Sequence, residues 1–318
     1  MTGTPLRVAF AGLAHSHPHT DAANVRALGA EVVGVHDADV AAASAFAARF
    51  GGVTAASVGE LAALRPDLVI ATPRPHEVGP FLQALGGGAA PVFVNKVMAA
   101  TAAQLTEVDR ALGASSVPVG TSSVLRFAPA LRALAEEVPA HDVLALRVHA
   151  QHDNAAFQLP ERAWQDDPQR GGGTAVTVGV HAWEMLDVLL PGAALVSGSG
   201  WTRSRHGSAT ASEDAAGVEG KVRMPGTERE VPVQVLVTGV PGADAYAVEA
   251  VTTAGIRSVA LDVGAEGGAD ANDGLGFRGL IRALLDAAPA GATVAPWREA
   301  RSVVANSIRA AEIARGDA

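Results

Sequence analysis

The arrangement of apolar and polar positions divides the chain into two halves with different rhythms. In the first half, short runs that are apolar almost throughout recur at intervals: LRVAFAGL (6–13), EVVGVHDAD (31–39), DLVIATP (67–73), PVFVNKV (91–97) and SVPVGT (116–121). Runs of this length without strict alternation predict strands of a parallel sheet, buried on both faces. Helix-length segments lie between them. One becomes helical after Pro18, a favoured first-turn residue. Asp39 is placed to cap the next, which runs to Phe50. Ser57 with Glu60, and Thr101 with Gln104, match the capping-box spacing, for helices reaching Leu64 and residue 112. A further helix fits residues 76–85. Strand and helix therefore alternate over residues 1–121, the pattern of a doubly wound parallel α/β sheet.

The rhythm then changes. PALRALAEEV (129–138) has the helix period, and VLALRVHAQHDN (143–154) reads as a strand. The stretch GGGTAVTVGVHAWEMLDVLL, Gly171 to Leu190, opens on three glycines. Its apolar positions Val176, Val180, Trp183, Leu186 and Leu190 recur at steps of three and four. Thr177, His181 and Glu184 fall at i, i+4 and i+7, so one helix face carries all three. A helix that buries one stripe and lines up a histidine on another predicts the wall of a site. After a polar loop at 203–214, turn signals at Pro225-Gly226, Pro241-Gly242 and Ala254-Gly255 separate GVEGKVRM, EVPVQVLVTG, YAVEAVTT and RSVALDVG. These runs predict an antiparallel meander. Helices at about 275–287 and 297–314 close the chain. Residues 122–318 are thus expected to form an α+β domain with a large open, mostly antiparallel sheet and helices on one face. The uncovered face predicts a homo-oligomer, dimer or tetramer, built on that sheet.

Composition narrows the function classes. The chain has 318 residues, 48% apolar and 18% charged, with a net charge of −9 and no cysteine. The acidic balance and the lack of a Lys/Arg run argue against nucleic acid or an anionic membrane surface as the main partner. Without cysteine there is no disulfide, thiolate nucleophile or Cys-ligated metal. The amino-terminal residues MTGTPLRVAF have no signal-peptide pattern, and no apolar run approaches membrane-spanning length, so the expected location is the cytoplasm.

In an open parallel sheet, ligands bind at the carboxyl ends of the strands. That rule selects Gly12 to His17, Asp37, Thr72 to His76, and Asn95-Lys96. The first loop lacks the G-x-G-x-x-G fingerprint: Gly12 remains, but Ala14 and His17 stand where the other glycines belong. Ala14 is still small enough for a pyrophosphate to approach the backbone, and Ser16 offers a donor. Asp37 is placed to accept both ribose hydroxyls of an adenosine, which favours NAD over NADP; Ala38 follows it, with no arginine for a 2′-phosphate. Lys96 beside a cationic nicotinamide would have a lowered pKa, suited to exchanging a proton with a substrate hydroxyl.

Several segments together resemble the Gfo/Idh/MocA family of dinucleotide-dependent oxidoreductases, typified by glucose–fructose oxidoreductase and inositol dehydrogenase. They are VAFAGL, GVHDAD, VIATPRPHEV, VFVNKVMAAT, WQDDPQRGGGTAVTVGVHAWEMLDVL and PWREARSVVANSIRAAEIARG, which span most of the chain. The resemblance implies a Rossmann domain followed by an α/β domain whose sheet makes oligomer contacts, with bound NAD(H) or NADP(H). It implies that Gly12, Leu13, Ala14, His15, Ser16, Asp37, Thr72, Pro73, His76, Asn95 and Lys96 contact the cofactor. Lys96 matches the lysine of the family's Glu-Lys-Pro motif, which here reads Asn95-Lys96-Val97. His181 matches the histidine of its Asp-x-Gly-x-His motif, with Thr177 at the acid position and Glu184 three residues on. Lys96 is then expected to transfer the proton, while His181, with Thr177 beside it, hydrogen-bonds the reacting group. Arg126, His152, Trp164 and Asp166 are candidate substrate contacts.

The implied activity is hydride transfer between nicotinamide and a hydroxyl or carbonyl of a sugar, polyol or related molecule. The altered motifs leave two related readings open: a dinucleotide-binding regulator, and an NAD-dependent glycosidase working by transient oxidation. A metal hydrolase using His149, His152 and Asp153 with His181 or Glu184 is a further reading. Adjacent strand positions point to opposite faces, however, so these side chains do not converge by themselves, and no metal is expected.

Overall fold

The apolar runs of the first half form one sheet. The computed structural model describes residues 4–86, 90–262 and 271–317. The sheet's strands are β1 (Arg7–Ala11), β2 (Glu31–His36), β3 (Val53–Thr54), β4 (Leu68–Ala71), β5 (Val92–Asn95) and β6 (Val119–Ser122). They lie in the order β3-β2-β1-β4-β5-β6, and every pairing is parallel. The helices between them are α1 (His17–Ala27), α2 (Val40–Phe50), α3 (Val58–Ala63), α4 (Val78–Ala84) and α5 (Ala102–Gly113). The caps hold as the sequence indicated. Asp39 accepts from the amides of Ala41 and Ala42, Ser57 Oγ from Glu60, and Thr101 Oγ1 from Gln104. The return bonds of Glu60 and Gln104 reach one residue further back, to the amides of Ala56 and Ala100. Strand β3, two exposed residues long, carries no apolar signal and was not expected.

The second half continues with α6 (Pro129–Glu137), β7 (Val143–Gln151), α7 (Gly173–Thr177), α8 (Gly179–Leu189), β8 (Ala194–Arg203), β9 (Ala215–Arg223), β10 (Glu230–Thr238), β11 (Ala245–Thr252) and β12 (Gly255–Asp262). It ends with α9 (Ala271–Gly274), α10 (Phe277–Ala287) and α11 (Trp297–Arg315). The second sheet runs β12-β11-β7-β10-β9-β8. It is not the simple meander expected: β7 lies between β10 and β11 and pairs parallel with β10. Hairpins survive only on either side of it. Val231, Val233, Val235 and Val237 of β10 point into the core, while Gln234 and Leu236 point away, so α7, α8 and α11 cover one face and the other stays open. Val263 and Gly264, at the end of the RSVALDVG run, lie outside the described residues, as do the first three residues of the amino-terminal stretch.

The glycine-led stretch is not one helix. It breaks at Val178, where the His181 amide bonds the Val178 carbonyl in a three-residue step, and Gly179 starts the second segment. The chain also returns to the first half near its end. Helix α10 packs on α1, and the Thr121 amide donates to the Ala295 carbonyl at 3.0 Å beside β6. Helix α11 touches α5 and β6 as well as α8 and β8. Among the described residues, no helix is long and apolar enough to cross a membrane.

Candidate active site

The carboxyl ends of β1, β2 and β4 open into a cavity of about 710 Å³. Gly12, Leu13, Ala14, His15, Ser16, Asp37, Thr72 and Pro73 line it, and Val58, Pro80, Phe81 and Ala84 supply an apolar wall. Gly12 has φ +79°, and a Cβ there would meet the Thr72 carbonyl oxygen at 2.7 Å. Only glycine lets the loop pass this close to the end of β4. One oxygen of Asp37 accepts the Leu13 amide at 2.5 Å and the other the Asp39 amide at 2.7 Å, so the acid shapes the loop and still faces the cavity. Helix α1 starts at the loop's end and aims its amino terminus toward it, a fitting seat for a pyrophosphate. Depth, an apolar slot, an acid at the end of β2 and a glycine cradle together fit a dinucleotide, although two of the usual three glycines are absent.

Lys96 follows β5 directly and is buried, 9% exposed. The Lys96–Val97 peptide bond is cis. Burial, with the Arg162 guanidinium nearby, brings the Lys96 ammonium down to about pKa 7; Asp244 opposes the shift. His17 and His181 are buried and His15 is half-buried at the cavity wall, and desolvation holds each well below the usual histidine range. Burial also lowers His152, against the pull of Asp244, whose carboxylate is 3.4 Å from Nε2. Lys96 thus sits among imidazoles that are neutral near pH 7.

His181 is oriented by a residue that motif reasoning did not select. Its Nδ1 lies 2.6 Å from Ser123 Oγ, and the Ser123 amide donates to Glu184 at 3.0 Å. Ser123 Oγ already accepts the Leu125 amide at 3.1 Å. When the Ser123 hydroxyl donates to Nδ1, the proton of the neutral imidazole is on Nε2. Ser123 thus orients the His181 ring. The available signal was a hydroxyl residue directly after the carboxyl end of the last parallel strand.

A second polar cluster lies behind β5. Asn95 Nδ2 donates to Asp21 at 2.9 Å and to Thr72 Oγ1 at 3.0 Å. Asp21 is fully buried on α1, and burial raises its carboxyl to about pKa 7 against the Asn95 hydrogen bond.

Other expected positions are committed elsewhere. The Thr177 hydroxyl donates to the Gly171 carbonyl at 2.9 Å; the break at Val178 removes it from the stripe of His181 and Glu184. Arg126 is paired with both Glu184 and Asp187 and lines a separate groove with Arg132 and Glu136. Asp166 accepts from the amides of Ala211 and Ser212 and from the Ser212 hydroxyl, and so anchors the 203–214 loop. Trp164 is buried beneath the Gly171 turn. His76 sits beside Glu77, outside the cavity lining. His149 approaches Thr238 while His152 approaches Asp244, and among the described residues no group of three His, Cys, Asp or Glu is arranged to hold a metal ion. Arg162 and Asp244, on loops without motif signals, were missed.

No protein-family model matches the chain, and no curated protein matches it in sequence. Solved structures do match. GenD2 from gentamicin A biosynthesis, crystallised with NAD, is 20% identical, with TM-score 0.77 over 99% of this chain and 94% of its own. A myo-inositol dehydrogenase from Corynebacterium glutamicum is 16% identical, with TM-score 0.77 over 98% and 97%. The UDP-N-acetylglucosamine 3-dehydrogenase GnnA from Acidithiobacillus ferrooxidans is 15% identical, with TM-score 0.72 over 99% of both chains. The chain therefore has the two-domain fold of these dehydrogenases: a parallel Rossmann sheet followed by a mostly antiparallel one. At these identities the likeness is one of fold.

Proposed function

We propose that the protein is an NAD-dependent oxidoreductase acting on a CH–OH or carbonyl group of a sugar, polyol or related small molecule. The observation that carries this reading is a buried lysine, with a pKa of about 7, within electrostatic reach of His15 and Arg162, which line a dinucleotide-sized cavity. When bound, nicotinamide supplies the hydride acceptor or donor. Neutral Lys96 takes the hydroxyl proton of an alcohol as it is oxidised, or returns it in reduction. His181 holds the reacting oxygen through Nε2–H, and the histidines around Lys96 keep it desolvated. Asp37 and Asp39 together disfavour a 2′-phosphate, so NAD is preferred over NADP. The fold shared with an NAD complex and with inositol and sugar-nucleotide dehydrogenases supports the same reading.

The test is titration with NADH and NADPH, read by energy transfer from the four tryptophans, followed by a polyol and ketose screen. NADH binding much tighter than NADPH binding is expected. Absence of binding would sink the proposal. Lys96→Ala is expected to lower turnover by at least about a hundredfold, the scale of a lost acid–base group. The same reading makes the protein cytoplasmic and a dimer or tetramer through the open face of the second sheet, where Trp201, Leu236 and Val251 are partly exposed. Light scattering of the wild type against Leu236→Asp tests the assembly.

A further inference from the structure

We propose that the substrate end of this site binds an anionic group, and that Arg162 holds the substrate's carboxylate or phosphate beside Lys96. The inference deepens the dehydrogenase reading and rests on it for the identity of the ligand as substrate.

Basic side chains gather at this end of the site. Lys96 and Arg162 act on one another electrostatically, and both act on His15 and His152. Four imidazoles, from His15, His17, His152 and His181, share the space. Among the described residues the carboxylate acting on Lys96 is Asp244, which already meets His152 at 3.4 Å, and Glu161 acts on Arg162 from the neighbouring position without forming an ion pair with it. A nicotinamide in its oxidised form would add a further positive charge. The imidazoles are neutral near pH 7 and Lys96 is close to neutrality, so Arg162 carries the lasting positive charge here, and an anion against its partly buried guanidinium would offset the cost of enclosing it.

Arg162 is the group free to take it. Partly buried arginines elsewhere meet oxygen acceptors: Arg126 two acids, Arg315 Glu213 and the Gly172 carbonyl, Arg229 the carbonyls of Ala140 and Val143. Arg162 has no ion pair among the described residues. Its Nε donates to the Gln165 amide oxygen at 2.5 Å, and one terminal nitrogen lies 3.3 Å from His15 Nε2. The Gln165 bond fixes the guanidinium plane and leaves terminal N–H groups unspent. A planar fork held in this way suits an oxyanion. It borders the dinucleotide cavity at the His15 end, whereas the pyrophosphate has the loop amides and the start of α1.

The experiment is calorimetric titration of NAD-saturated protein with inorganic phosphate at constant ionic strength, using wild type, Arg162→Met and Arg162→Lys. The expected result is phosphate binding by wild type, weakened by at least about tenfold in Arg162→Met and by less in Arg162→Lys, which keeps the charge but not the fork, with NAD affinity unchanged. Two matched pairs then name the source of the anion. Preference for D-gluconate over D-glucitol assigns a carboxylate, and preference for a sugar phosphate over its parent sugar assigns a phosphate. Absence of phosphate binding, or equal binding by Arg162→Met, overturns the proposal. So does a loss of NAD affinity in Arg162→Met that matches its loss of phosphate affinity, because Arg162 would then serve the cofactor. Failure of wild type to bind NAD refutes the oxidoreductase reading, and the comparison of unloaded wild type with Arg162→Met still decides the anion site.

Discussion

Replacing Lys96 by methionine should make the protein more stable and leave it without activity. The ammonium is buried, and its pKa falls from 10.5 to about 7 on folding. The fold therefore favours the neutral amine. A lysine lowered in the native state leaves stability intact at high pH and costs stability as pH falls from 10.5 through 7. Those two values give a penalty of about 5 kcal/mol at pH 6 and under about 1 kcal/mol at pH 10. Methionine has similar length and no charge, so Lys96→Met removes the penalty. The assay is urea unfolding of wild type and variant at pH 6 and pH 10, without ligand. The variant should gain about 4 kcal/mol more at pH 6 than at pH 10. Parallel stability–pH curves would refute the reasoning, because the ammonium would then be solvated or paired in the folded protein. The measurement needs no knowledge of the substrate, yet it tests the property that the proposed proton transfer requires.

Further outcomes follow from the same geometry. Asp21 has the opposite sign: its carboxyl rises to about 7 on folding, so wild type loses stability as pH climbs through the range from 3.8 to 7. Asp21→Asn should remove roughly 3 kcal/mol of the loss between pH 5 and pH 8, as read by thermal or urea unfolding. Ser123→Ala should lower kcat about tenfold or more with a smaller change in KM, because His181 loses the group that fixes its tautomer; Ser123→Thr should restore part of the loss. Gly12→Ala should weaken NADH binding at least about tenfold, since the added Cβ meets a carbonyl oxygen and the backbone is in the left-handed region. In the direction of alcohol oxidation, kcat/KM should rise with pH through about 7 as Lys96 loses its proton, and Lys96→Ala should lack that limb.

The parallel sheet was readable because its strands are buried on both faces and announce themselves as apolar runs between capped helices. Strand β8 was not: ALVSGSGWTR is rich in Gly and Ser, and most of its residues are exposed on the open sheet, so neither alternation nor an apolar run marks it. The insertion of β7 between β10 and β11 is a long-range choice that turn signals do not encode. In the site, Lys96, Asp37 and His181 were legible because strand ends and a helix stripe fix their positions. Thr177 misled because periodicity assumes an unbroken helix, and the break at Val178 redirects its hydroxyl. Arg126 looked available because its partners, Glu184 and Asp187, are about sixty residues away in sequence. Ser123 and Arg162 became visible only when loops from both halves were brought together.

The hydrogen bond from Thr121 to Ala295 has a consequence for how the gene product can be divided. Strand β6 ends the parallel sheet, and its outer side is met by the segment that leads into α11, with Gly120 bridging Pro296. Trp297 and Arg301 then fasten that segment to Asp109 on α5. Expressed alone, residues 1–121 would present the flank of β6 to solvent with Val119 and its apolar neighbours uncapped, a template for joining other chains edge to edge. The first half is in this sense finished by residues almost two hundred positions downstream. A ribosome releases it as an incomplete body until the last helix has been made, so co-translational folding of the first half is expected to stall short of the native state.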